Sequence, residues 1–154
     1  MQVSYESIGV ARSPFHTMAE TPRQPKVSDA EGTIEIDEAY ADGLRDIEGF
    51  SHIWVLFHAH RADFHHLLVK PYLDEKLRGV FACRAPRRPN PIGLSLLRLL
   101  GREGTVLRVG GIDLLDGTPI LDIKPFVPEF DHREETRIGW LEGKDLSRLD
   151  EEEK

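Results

Sequence analysis

The sequence predicts a mainly β, single-domain protein. Three observations carry this: short runs rich in β-branched and aromatic residues, turn signals of glycine, proline and aspartate between them, and no long amphipathic helix. The pattern fits an all-β barrel or sandwich and argues against a βαβ arrangement. A chain of 154 residues can bury a core without disulfides or a structural metal, so one domain is expected over residues 1–141, followed by a charged, detachable tail at 142–154. Cys83 is the single cysteine, which rules out an internal disulfide and points to a reducing compartment, the cytoplasm being the simplest. The amino terminus lacks a charged-then-apolar leader pattern, and no apolar stretch reaches the roughly 20 residues needed to span a bilayer, so no membrane association is expected.

The elements follow in order. Val3 to Val10 has the composition of a first strand, ending before Ser13-Pro14. Thr21 to Val27 contains Pro22 and Pro25 and reads as an ordered loop. Gly32 to Ile36 is a short strand, and Asp37 is placed to cap a brief helix reaching Leu44. In Ser51 to His60 the odd positions Ile53, Val55, Phe57 and Ala59 form an apolar face, while His52, Trp54, Leu56, His58 and His60 take the other. Gly79 to Cys83 and Ile92 to Leu100 read as strands around a proline-rich basic loop. Gly101 to Gly104 then connects a hairpin to Thr105–Ile112, and Asp116-Gly117 makes a second tight turn that leaves Pro119 at a strand start or edge.

Charge is unevenly distributed. The net charge of -7 conceals a tract from Lys76 to Arg102 with seven basic residues and no acidic one, against 13 basic and 27 acidic residues elsewhere. Within it, Pro86, Pro89 and Pro91 stiffen a loop that presents Arg84, Arg87 and Arg88. Guanidinium groups on a rigid loop suit phosphate or carboxylate recognition, the alternative being a crossover whose arginines cap carbonyls. Asn90, between two prolines, is a candidate hydrogen-bonding residue.

Asp113, Asp116 and Asp122 stand in an apolar setting and could hold a ribose diol, position an amine or act as a base. Asp116 also fits a plain turn role, and Asp122 with Lys124 fits the outward face of a strand. His58 and His60 share a strand face at a spacing that could supply two metal ligands, but nothing nearby completes a site. No metal is therefore expected. Gly110-Gly111 is a pair without the lysine or helix start of a phosphate loop.

Five ordered blocks between Val3 and Pro128 resemble the TrmO family of tRNA methyltransferases, also called TsaA-like or YaeB. They are Pro22-Arg23-Gln24-Pro25, Gly32-Thr33-Ile34-Glu35, Gly49 to Trp54, Gly79 to Ser95, and Asp113 to Pro125. The resemblance implies a small β-barrel of non-Rossmann type with a few short helices and long loops, working as a homodimer with S-adenosyl-L-methionine in a cleft near the subunit interface. It implies methylation of N6 on threonylcarbamoyl-adenosine (t6A to m6t6A) at position 37, beside the anticodon of tRNA. Carried over by motif, cofactor contacts fall at Pro25, Lys26, Val27, Arg61, Arg84, Leu94, Leu115, Asp116, Gly117 and Thr118. Contacts to the tRNA anticodon loop are expected at Arg87, Arg88, Asn90 and Lys124, and Asp113 or Asp116 is expected to orient or deprotonate the acceptor nitrogen. Two departures stand out: Cys83 replaces the family's usual Ser or Thr, and Arg87 its common His. Arg87 cannot serve as a base. Two other readings are a module that binds S-adenosyl-L-methionine and holds tRNA or a protein without chemistry, and a cupin-like metal enzyme using His58 and His60.

Overall fold

A computed structural model describes residues 1–63 and 65–150. Six strands close a barrel: β1 (Gly9–Arg12), β2 (Glu31–Ile36), β3 (His52–His58), β6 (Ile92–Glu103), β7 (Val106–Gly110) and β8 (Pro119–Pro125). The remaining pair, β4 (Leu68–Val69) and β5 (Arg78–Gly79), forms a separate ribbon. The barrel order is β1-β2-β7-β6-β3-β8, with β8 returning to β1 and every pairing antiparallel. This decides for a barrel over a sandwich, and closure leaves the main sheet without a free edge. The only α-helix among the described residues is a single turn, α1 (Pro128–Asp131), alongside several 3-10 turns. None of these helices is long and apolar enough to cross a membrane.

Alternation does what period-two patterning requires. Ile53 and Val55 of β3, Ile34 of β2, Leu97 of β6, Leu107 and Val109 of β7 and Ile120 of β8 are fully buried, and Ile112 and Leu114 join this core from the loop after β7. The 12-residue β6 serves two neighbours: Ile92–Arg98 pairs with β3 and Arg98–Glu103 pairs with β7, the latter ladder shifting register between Leu99 and Gly101. Such a bulge bends a strand and helps a small barrel close. Gly93 lies opposite Phe57, and a Cβ there would run into the Phe57 ring.

Four local expectations are revised. The first strand begins at Gly9 rather than Val3, because β2 ends at Ile36, the partner of Gly9; Val3 and Tyr5 have composition but no neighbour and are exposed. Asp37 precedes a 3-10 helix, Glu38–Leu44, and makes no side-chain cap. Gly79 to Cys83 is not a strand: after β5 the chain turns through a 3-10 segment, Val80–Ala82, that buries Val80. The hairpin turn falls at Gly104-Thr105, since Glu103 pairs with Val106 and Gly104 has φ +62.

Candidate functional site

The ends of β3 and β7 and the beginnings of β6 and β8 meet at one end of the barrel. The connections leaving this end surround a cleft of about 960 Å³, within the range of small-molecule sites. Phe57 lines it from β3, Asp113 and Leu115 from the loop between β7 and β8, Pro22 to Gln24 from the loop before β2, and Arg84 to Arg87 from the basic loop. A second concavity of about 440 Å³ lies on the outer face of β3 and β6, against Trp54, Leu94, Leu96 and Arg98, with Pro25 and Lys26 at its edge. Gln24 and Arg84 border both, and Arg84 Nη1 donates to Gln24 Oε1 at 3.3 Å. Of the residues expected at the cofactor, Arg61, Leu115 and Thr118 line the larger cleft, Pro25, Lys26 and Leu94 the smaller, and Arg84 both, whereas Asp116 and Gly117 line neither.

The two candidate aspartates have different environments. Asp113 lines the large cleft, and burial pushes its carboxyl up to about 6, opposed by the Ser95 hydroxyl, which donates to Oδ1 at 2.7 Å. Ser95 projects inward from β6 and is itself buried. Asp116 is outside the cleft lining and holds its own turn in place: Oδ1 accepts from Ser13 N at 3.1 Å, and Oδ2 lies 3.7 Å from His16 Nδ1. The turn is stitched to the first strand's exit by Asp116 N to Phe15 O at 2.7 Å and Gly117 N to Ala11 O at 2.9 Å. Gly117 takes φ +81, and Thr118 is buried with its hydroxyl donating to Leu115 O at 2.6 Å. Asp116 thus has the geometry of a turn residue, and of the two aspartates Asp113 is the one that lines the cleft.

The arginines divide as well. Arg88 Nη1 donates to Cys83 O at 2.8 Å and Ala85 O at 3.1 Å, so this guanidinium braces its own loop, as the carbonyl-capping alternative required. Arg84 and Arg87 are exposed at the cleft, and Asn90 is exposed on the same loop. Lys124 lies away from both concavities, opposite Trp54, with its ammonium 2.9 Å from Asp122, which is the strand-face pairing. His60 lines the cleft, where burial, then Arg61 and His58, hold its pKa below the usual histidine value. Among the described residues no three His, Cys, Asp or Glu side chains gather as a metal site.

Sequence reasoning missed one wall. Asp74 is buried and accepts from Arg78 Nε at 2.7 Å and Nη2 at 2.6 Å, while Lys144 approaches at 3.3 Å. Arg78 foremost holds its carboxyl well below the ordinary carboxylate range. Trp140 Nε1 donates to Ala82 O at 2.8 Å, and Trp140, Leu141 and Leu146 line the cleft. Of the tail expected from Glu142 to Lys154, Lys144 reaches Asp74 in the connection between β4 and β5 and Leu146 lines the cleft, while residues 151–154 lie outside the described residues. The Asp74 and Arg78 spacing and a lone tryptophan in a charged stretch were the available signals.

Residues 10–132 match the family described as the tRNA-methyltransferase O N-terminal domain. The chain belongs to the TrmO family. A probable S-adenosyl-L-methionine-binding protein of Pyrococcus abyssi is 52% identical over 151 residues, covering 97% of this chain and 82% of the relative. The Escherichia coli tRNA (adenine(37)-N6)-methyltransferase is 42% identical over 135 residues, covering 80% of this chain and 57% of its own. Crystalline TrmO from Pseudomonas aeruginosa superposes with a TM-score of 0.76 at 42% identity, covering 91% of this chain and 63% of the other. This TrmO-family chain thus spans less than two thirds of those two bacterial proteins.

Proposed function

We propose that the protein is an S-adenosyl-L-methionine-dependent methyltransferase that modifies N6 of adenosine 37 in tRNA, with threonylcarbamoyl-adenosine as the acceptor. The supporting observation is Asp113: a partly buried carboxyl lining a cleft edged by exposed arginines, in a chain of the TrmO family. The residues present fit the cofactor chemically. Arg84 can pair with a carboxylate where the two concavities meet, and Leu94 and Leu115 offer apolar surface to a nucleoside. When bound, the sulfonium supplies an electrophilic methyl group, so the protein's task is alignment and exclusion of water. With a pKa of about 6, Asp113 is mostly ionised at neutral pH and suited to accept the proton from a carbamoyl-type nitrogen whose lone pair is poorly available. Arg87 and Asn90 meet the anticodon loop, whose unpaired bases can be splayed into a cleft.

The reading includes a homodimer acting in the cytoplasm. The outer face of β3 and β6, where Ile92 and Leu94 are exposed, is the surface offered to the second copy. Solution mass measurement tests this.

Labelled S-adenosyl-L-methionine is incubated with tRNA bearing or lacking t6A, and the nucleosides are separated. Label in m6t6A from the t6A-bearing tRNA alone is the expected result. A second reading, binding without chemistry, draws on the Pyrococcus abyssi relative, which matches most of this chain and is named for cofactor binding only. Saturable cofactor binding with no label in either tRNA would favour it.

A further inference from the structure

We infer that Phe81 is a stacking platform for an unpaired base of the acceptor RNA loop, held in place by the C-terminal segment. The inference deepens the tRNA reading above and rests on it. A singly exposed apolar residue is ordinary on a protein surface. Phe81 differs in its mounting and its neighbours. It lines the cleft shared with Asp113 yet is 78% exposed, on a 3-10 turn whose preceding residue, Val80, is only 1% exposed.

Both sides of that turn are pinned. Val80 N donates to Leu67 O at 2.9 Å, Cys83 N donates to Val80 O at 3.2 Å, and Arg88 holds Cys83 O at 2.8 Å. The carbonyl of Ala82, immediately after Phe81, accepts from Trp140 Nε1 at 2.8 Å, and Trp140 is kept near by the Asp74 to Lys144 contact at 3.3 Å. The fold therefore holds the backbone that carries Phe81 at the cleft's edge, with the ring exposed. Cations follow within a few residues: Arg84 and Arg87 line the same cleft and are exposed. An exposed aromatic face on a pinned backbone, beside guanidinium groups, is the chemistry that receives a splayed base and its phosphates. A phenyl ring has no hydrogen-bonding edge, so it stacks on any base and leaves discrimination to the cleft.

The test is equilibrium binding of a synthetic anticodon stem-loop to the parent chain, Phe81→Leu and Phe81→Tyr, with solution mass and S-adenosyl-L-methionine affinity measured on each. Loss of one stacked base predicts that Phe81→Leu binds the stem-loop about 5- to 140-fold more weakly. Phe81→Tyr restores binding, and cofactor affinity and mass stay as in the parent. Parental stem-loop affinity in Phe81→Leu overturns the inference. So does a loss of binding accompanied by a change in mass, which would assign Phe81 to a contact between copies. A parent that binds the stem-loop through Phe81 yet transfers no methyl group upholds this inference while removing the methyltransferase reading.

Discussion

Asp113→Asn should make the protein more stable and less active, and the size and pH window of the stability gain follow from the environment of Asp113. Burial raises the carboxyl from 3.8 to about 6, even though Ser95 donates to it. That displacement corresponds to a penalty on the order of 3 kcal/mol for holding the ionised form in the folded chain. The sign is the reverse of a salt-bridged aspartate. Between about 4 and 6 the folded chain binds the proton that the unfolded chain has released, so stability falls as pH rises through this window and then levels. The neutral amide carries no such penalty and can still accept from Ser95. The variant should therefore gain little near pH 4 and progressively more up to pH 6. Above that the gain holds at about 3 kcal/mol, or roughly 6–12 °C in Tm for a domain of this size. Thermal and urea unfolding of both proteins from pH 3.5 to 8 measures the difference. A gain independent of pH, or a variant less stable than the parent at pH 7.5, would refute the placement of a desolvated carboxyl there. Methyl transfer by Asp113→Asn at the parental rate would separately remove its role as base.

Ser95→Ala removes a hydrogen bond to a charged group, worth about 1.5–3 kcal/mol, so the acid limb of kcat/KM should move up by about 1–2 pH values, read from a pH–rate profile. Gly93→Ala should destabilise the barrel by about 1–3 kcal/mol, because its Cβ meets the Phe57 ring; a urea midpoint equal to the parent's contradicts that contact. Asp74→Asn should free the C-terminal segment, seen as faster tryptic cleavage after Lys144 and Arg148. In the parent, stability from Asp74 is present above the ordinary aspartate pKa and lost only as pH falls through its much lower folded value, so cleavage should stay slow at pH 5. Arg87→Ala should weaken tRNA binding and reduce the slope of log affinity against log salt by about 1, measured by filter binding across a salt series.

What could be read before the structure separates by the range of the interactions involved. Alternation along Ile53 to Phe57 and the glycine turns at 104 and 117 are local constraints, and they placed the strands of a barrel within a few residues. The start of β1 could not be found in this way, because its limit is set by where β2 ends, and composition continues past the last available partner. The same distinction runs through the site. The basic loop was recognisable from its prolines, but the assignment of Arg88 to carbonyls and of Arg84 to the meeting of two concavities depends on how the loop closes. Asp113 and Asp116 are three residues apart, and only long-range partners tell them apart: Ser95 and the cleft for one, Ser13 and His16 for the other.

The wall formed by Trp140 and Lys144 shows the limit most clearly. Its residues lie beyond the matched stretch 10–132 and resemble an ordinary charged tail. Their placement is marked by Asp74, whose buried carboxylate is held chiefly by Arg78 and also accepts from Lys144, 70 residues further along the chain. A boundary drawn at the end of the family match, residue 132, would omit residues that line the cleft. For this reason truncations meant to isolate the active unit should keep the chain through Leu146.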